Sequence, residues 1–248
     1  MKTPLIFDIK RTSTVDGPGV RTAVFFKGCN LDCFWCHNPE GKSPGAQIAK
    51  FSEKCIGCGT CQKLADGEKA YELCPADAIK LYGKSFTVDE LFEIIKADKA
   101  YFDATGGGVT FSGGECMLYP KYLKEIAPKC KESGICVAID TAGCVPFSSF
   151  EEILPYADLF LYDIKALDSD LHKRGTGVDN GLILENLEGL IKSGKRIIVR
   201  IPCIPEFNEG NEVERIKDFC KDKDLEFEVL AYHSFGESKR LALTNEII

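Results

Sequence analysis

From Thr87 to His233 the chain alternates short apolar runs with stretches of helical periodicity, and this alternation restricts the fold more than any other feature. Strand-like runs occupy residues 108–112, 136–141, 158–165, 196–202 and 225–233. Apolar residues at helical spacing mark 119–133, 148–154, 180–193 and 210–221 between them. Thr87 with Glu90 three residues on reads as a capping box that opens the first helix of the series. Strands separated by helices pair in parallel, since the helix carries the chain back to the same end of the sheet. With a first strand over 21–27 the pattern gives about six β/α units. An open doubly wound sheet and an incomplete barrel both satisfy it, and both gather ligands at the carboxyl ends of the strands.

The polar residues fall at those ends. Gly113, Gly114 and Glu115 follow the run at 108–112, where glycines let a ligand approach the backbone and a carboxylate can accept from an ammonium. Asp140 and Thr141 close the next run. Asp163 and Lys165 close the one after, two apart and so on one face. Taken singly, these read equally as turns or ion pairs. Arg200, inside the apolar stretch 197–201, needs a partner or an anionic ligand. His233 shares the parity of Phe227, Val229 and Ala231, which predicts that it points inward. Together these groups offer ammonium acceptors and carboxylate donors at one end of one sheet, a set suited to an amino acid.

Ahead of the alternation, Cys29, Cys33 and Cys36 sit in a loop that leaves the apolar stretch 23–26 through Lys27 and Gly28. Iron-sulfur clusters are normally held by four thiolates, so a triplet leaves one iron for another ligand. Structural zinc is the alternative, but it needs a fourth ligand, and His37 adjoins Cys36 too closely for the usual zinc spacing. A second group, Cys55, Cys58, Cys61 and Cys74 with Pro75, is similar to the bacterial ferredoxin run, except that Cys61 and Cys74 stand much further apart than its spacing of about three residues. The longer connection lets Cys74 return to the same cluster, which predicts one auxiliary four-iron cluster; a four-cysteine zinc knuckle is the competing use. The remaining six of the thirteen cysteines, Cys116, Cys130, Cys136, Cys144, Cys203 and Cys220, read as small buried hydrophobes.

A net charge of −7 argues against a nucleic-acid partner, which needs a basic face. No apolar run approaches the roughly 20 residues of a membrane span. Residues 1–10 lack the apolar core and cleavage site of a signal peptide. A cytoplasmic protein without a membrane partner is expected, and in that reducing compartment clustered cysteines serve metal rather than disulfides.

Three passages carry a resemblance to a known family. They are residues 13–21, Ser-Thr-Val-Asp-Gly-Pro-Gly-Val-Arg; the cysteine triplet running on into His37-Asn38-Pro39; and residues 106–115, Gly-Gly-Gly-Val-Thr-Phe-Ser-Gly-Gly-Glu. Asp163-Ile164-Lys165, Arg200-Ile201-Pro202 and Tyr232-His233 follow in the family's order. The sequence resembles the radical S-adenosylmethionine superfamily and, within it, the activating enzymes of glycyl radical enzymes. The resemblance implies a partial (β/α)6 barrel formed by residues 1–40 and 86–248, with a small ferredoxin-like iron-sulfur insert at 41–85.

It also implies that Cys29, Cys33 and Cys36 bind a [4Fe-4S] cluster whose fourth iron takes the amine and carboxylate of S-adenosylmethionine. Gly114 and Glu115 would hold the amino group, Lys165 and Arg200 the carboxylate side, Asn38 and His233 the rest of the cofactor, and Trp35 would lie near the adenine. A monovalent cation beside Asp140, Thr141 and Asp163 is a feature of some relatives. One electron from a flavodoxin or ferredoxin-type reductant cleaves the sulfonium, and the 5′-deoxyadenosyl radical takes a hydrogen from a glycine of a partner glycyl radical enzyme, met by Asp16 and its glycines. Relatives commonly carry two clusters in the insert, and some continue well beyond the segment matching residues 232–239, so one auxiliary cluster and a short or missing last helix are expected here. Two other readings are a radical enzyme acting on a small molecule, which the segment 16–21 disfavours, and an electron-transfer iron-sulfur protein, which leaves the strand-end residues without a role.

Overall fold

The computed structural model describes residues 3–63 and 70–247; residues 64–69, within the expected insert, lie outside the described residues, as do 1, 2 and 248. Leu5–Ser13 (β1) pairs antiparallel with Arg21–Phe26 (β2). Then come Gln47–Lys50 (β3), Ala70–Leu73 (α1), Ile79–Tyr82 (β4), Lys84–Ser85 (β5), Val88–Lys96 (α2) and Lys99–Thr105 (α3). The alternating part runs through Gly108–Gly113 (β6), Pro120–Glu132 (α4), Cys136–Thr141 (β7), Phe147–Ile153 (α5), Leu159–Asp163 (β8), Ser169–Thr176 (α6), Gly181–Lys192 (α7), Arg196–Cys203 (β9), Asn211–Asp222 (α8) and Glu226–Ala231 (β10). Phe235–Ala242 (α9) and Leu243–Ile247 (β11) follow.

One sheet takes the order β10-β9-β8-β7-β6-β2-β1-β5, and β2 with β6 to β10 are the six parallel strands of a partial barrel. β2 is buried along its whole length, as a parallel strand covered on both faces must be. Its outward residues Val24 and Phe26 join Phe111, Ile139, Phe160 and Val199 in the core beneath the helices, while Ala138, Leu159, Leu161 and Ile198 fill the barrel interior. The barrel stays open on one side. Residues of β1 (Phe7, Asp8, Lys10) and of β10 (Val229, Leu230, Ala231) border a common groove of about 960 Å³ between the two ends of the sheet.

The segment after β1 closes the barrel floor. Arg21 is fully buried there, donating to Thr110 Oγ1 and Val109 O, both at 2.6 Å, and to Pro18 O at 3.2 Å, and Thr110 in turn donates to Asp16 O at 2.6 Å. Burial lowers the pKa of Arg21, against the pull of Cys136. Gly19, at φ 72°, presses on Gly107 so closely that any side chain would collide with the backbone. This is why the floor is written in glycines.

A second sheet, β11-β3-β4, carries the four-cysteine segment, and β11 pairs antiparallel with β3. The last elements are therefore a short helix and a strand added to this small sheet. The Thr87 capping box forms as expected, Thr87 Oγ1 accepting from Glu90 N at 3.2 Å and Glu90 Oε2 from Thr87 N at 2.8 Å.

Candidate functional site

β2 delivers its carboxyl end to the cysteine loop, and backbone hydrogen bonds fix that loop on two sides. Gly28 N donates to Gly41 O at 2.7 Å and Cys29 N to Lys42 O at 3.0 Å; Asp32 N donates to Thr176 O at 2.7 Å and Phe34 N to Gly175 O at 3.2 Å. The second pair comes from α6, an element that the periodicity does not announce. Cys29, Cys33 and Cys36 then converge on one cavity of about 210 Å³, walled by Asn38, Gly113, Gly114, Asp140, Asp163, Lys165 and Arg200. Burial pushes the free thiols upward, Cys29 to about 12 and Cys33 to about 11. A thiol binds metal only as the thiolate, so a cluster bound here would have to displace those protons against the cost of burial. Gly114 leaves room for the wall, since a Cβ there would strike the Gly28 and Gly41 carbonyls.

Lys165 is nearly enclosed, with Nζ 2.5 Å from Asp163 Oδ2. Burial favours the neutral amine, but Asp163 and the Cys33 sulfur outweigh it, so its pKa lies above the ordinary value. The result is a fixed cation at the edge of the cysteine cavity. Glu115 is fully buried behind the wall. Its carboxylate accepts from Met117 N at 3.0 Å, Thr141 Oγ1 at 2.8 Å and Ala142 N at 3.0 Å, and burial raises it to about 7 against those bonds. Gly113, Gly114 and Thr141 face the cavity, and Glu115 braces them from behind.

Arg200 has the partners that its place in an apolar strand demands. Its Nε donates to Glu228 at 2.7 Å, Nη1 to Asp140 at 3.3 Å and Nη2 to Val15 O at 2.6 Å. Burial alone would lower its pKa, but Asp140 and Glu228 raise it. Asp140 is also held by Ser112 Oγ at 2.6 Å; burial raises its pKa, opposed by Arg200. Arg200 thus ties the strand-end rim to the loop of the barrel floor.

His233 arrives by a different route from the one its parity predicts. β10 ends at Ala231, Phe227 packs outward among the helices, and Glu228 faces Arg200. A turn after the strand carries His233 onto His37, ring on ring at 3.7 Å. Burial, then His233, depress His37 to about 4 and keep its ring neutral. Trp35 packs on Phe207 at 4.5 Å and edge-on to Phe34 at 4.8 Å. It also borders a recess of about 420 Å³ with Ile204, Pro205, Glu206 and His233.

The strand-end pattern misses Ile204 to Glu206, and it misses α9. Lys239 of α9 donates to Glu40 Oε1 at 2.6 Å and to His37 O and Asn38 Oδ1, both at 3.1 Å; Arg240 donates to Phe34 O at 2.6 Å. No periodicity or spacing links residues some 200 positions apart. In the insert, Cys55, Cys58, Cys61 and Cys74 line one apolar recess of about 40 Å³ with Ile56, Ala78 and Ile79. Cys116 is buried beneath the rim, donating to Phe111 O at 3.3 Å. No helix among the described residues is long and apolar enough to cross a membrane.

Residues 23–220 match the Radical SAM superfamily. The chain is 37% identical over 269 residues to a (2S)-3-sulfopropanediol dehydratase activating enzyme of Klebsiella oxytoca, covering 96% of this chain and 85% of that one. It is 36% identical to a trans-4-hydroxy-L-proline dehydratase activating enzyme of Clostridioides difficile, over 95% of this chain and 86% of that one. Among solved structures, Streptococcus suis SuiB bound to its precursor peptide SuiA superimposes with a TM-score of 0.56 at 18% identity, over 85% of this chain and 39% of that chain. That likeness concerns the fold alone.

Proposed function

We infer the division of labour in this site from one premise: the chain belongs to the radical S-adenosylmethionine superfamily and, within it, to the activating enzymes of glycyl radical enzymes. It is an enzyme that uses a [4Fe-4S] cluster and S-adenosylmethionine to activate a glycyl radical enzyme. When bound, those groups supply reductive cleavage of the sulfonium and a 5′-deoxyadenosyl radical that takes a hydrogen from a glycine of the partner. Cys29, Cys33 and Cys36 would hold the cluster, and the single observation that carries this is their convergence on one cavity beside a fixed cation.

This chain's own residues bind, orient and exclude water. Lys165 holds the carboxylate side of the methionine moiety, and the backbone of Gly113 and Gly114, braced by Glu115, receives its amino group. Asn38, His233 and Trp35 hold the nucleoside end, toward the recess beside Ile204 and Pro205. Arg200 contributes charge at the rim while its own donors keep Val15 and Asp140 in place. Asp140, Thr141 and Asp163 form a site for a monovalent cation.

The cysteine cavity shares His37, Asn38, Ser112, Asp140, Arg200 and Leu230 with the open groove, so a peptide loop entering between β1 and β10 would reach the cofactor. Asp16, 8% exposed with its carboxylate 2.5 Å from Ser13 Oγ, stands on the floor of that groove. Cys55, Cys58, Cys61 and Cys74, which line the recess of the insert, would hold a second [4Fe-4S] cluster, and that group would supply a relay for electrons from a flavodoxin or ferredoxin-type donor. A cytoplasmic location suits both partners.

The test is to mix the reduced, reconstituted protein and S-adenosylmethionine with candidate glycyl radical enzymes and to record electron paramagnetic resonance spectra. A glycyl radical signal in one candidate, with 5′-deoxyadenosine formed alongside, is the expected result. Formation of 5′-deoxyadenosine with no protein radical in any candidate would favour a small-molecule substrate.

A further inference from the structure

We propose that Lys239 is a positioning residue that sets the side-chain amide of Asn38, turning its N–H donors toward the cofactor; this rests on the reading of the cysteine cavity given above. α9 lies directly against the cysteine loop. Gly236 is so close to Cys36 O that a Cβ would collide with it, and three residues on Lys239 reaches the loop with its ammonium. A lysine ammonium has three protons to donate and nothing to accept with. All three are committed, to His37 O, Asn38 Oδ1 and Glu40 Oε1.

The consequence falls on Asn38. A primary amide can present either its oxygen or its nitrogen to a neighbour, and its environment decides which. Here the neighbour is a donor only, so Oδ1 faces Lys239 and Nδ2 faces away. Asn38 lines both the cysteine cavity and the open groove, and among the described residues no protein acceptor is recorded for its Nδ2. The group left available on that wall is therefore a pair of N–H donors, which would suit an acceptor such as a ribose oxygen or a purine ring nitrogen. Without Lys239 the amide is free to rotate and present its oxygen, which such acceptors reject.

Glu40 fixes Lys239 in turn. Its side chain is 3% exposed, and its second oxygen, Oε2, has no hydrogen-bond partner among the described residues. Removing Lys239 alone would strand that buried carboxylate and could unseat the loop. The test therefore removes both charges together. In the Glu40→Gln/Lys239→Met double variant, reconstituted and handled without oxygen, the dissociation constant for S-adenosylmethionine measured by equilibrium dialysis should rise roughly tenfold, the scale of one lost hydrogen bond to a buried acceptor. The same two changes in an Asn38→Ala background should add less than about twofold, because the amide through which Lys239 acts is already gone. Lys239→Arg, which keeps a donor-only cation, should retain affinity within about threefold.

Effects that multiply in the Asn38→Ala background would overturn the proposal and assign Lys239 only to holding α9. So would an unchanged dissociation constant in the double variant. If the unaltered reconstituted protein bound no S-adenosylmethionine at all, the reading of the cavity itself would fall, an outcome distinct from binding that ignores Lys239.

Discussion

Single buried charges shape both the cysteine cavity and the frame around it, and one residue of each kind gives a direct test. Lys165 is a buried ammonium matched to one carboxylate, that of Asp163. Lys165→Ala should weaken S-adenosylmethionine binding at least tenfold, through loss of a charge-assisted contact; an unchanged dissociation constant would remove it from the site. Asp98 tests the frame instead. Its carboxylate accepts from Arg11 Nε at 2.9 Å and from Thr22 Oγ1 at 2.6 Å, and Arg11 above all holds its pKa below the ordinary value of 3.8. A depressed carboxylate stabilises the fold at every pH above its unfolded pKa and loses that contribution only as pH falls through the folded one. Asp98→Asn should therefore cost about 1–2 kcal/mol by urea denaturation, discounted because half-exposed Arg11 is screened by solvent. That cost should be equal at about pH 8 and about pH 5.5; a cost that shrinks over this interval would contradict the depressed pKa.

At the scale of elements, the insert and the last helix are joined. β11 adds to β3, and α9, just before it, clamps the cysteine loop, so one continuous segment spans the two cysteine sites. If both sites hold four-iron clusters, anaerobic reconstitution should give about eight irons per chain, and replacing Cys55 and Cys58 by Ala should leave about four. With a chemical reductant that variant should still form 5′-deoxyadenosine, because the triplet is intact. About four irons together with zinc in the unaltered protein would instead make the insert a zinc knuckle. The regular elements were largely legible: every one of the six parallel strands and the helices α4, α5, α7 and α8 fall where periodicity predicts. β1, α6 and α9 were not, because their places depend on antiparallel pairing, a loop carbonyl and a distant ammonium rather than on an apolar repeat.

For the molecule as a whole, the open side of the barrel is the feature that matters. The groove between β1 and β10 leads to the cysteine cavity, and exposed Val15 borders it while its carbonyl is held by Arg200. Val15→Glu should reduce the glycyl radical formed in a partner by at least tenfold, counted by spin, while S-adenosylmethionine affinity stays within about twofold; equal loss of both would show that the loop shapes the cofactor cavity instead. The sequence by itself determined the chemistry: three cysteines on one short loop, glycines where backbone must meet backbone, and strand ends that parallel pairing brings to one rim. Those follow from local spacing and from the period of two. Only the tertiary structure decided how the charges are shared. Arg200 divides itself among Val15, Asp140 and Glu228, His233 reaches His37 by a turn rather than by strand parity, and Lys239 turns Asn38, because such partners are chosen by curvature of the sheet and return of the chain, which no local pattern encodes.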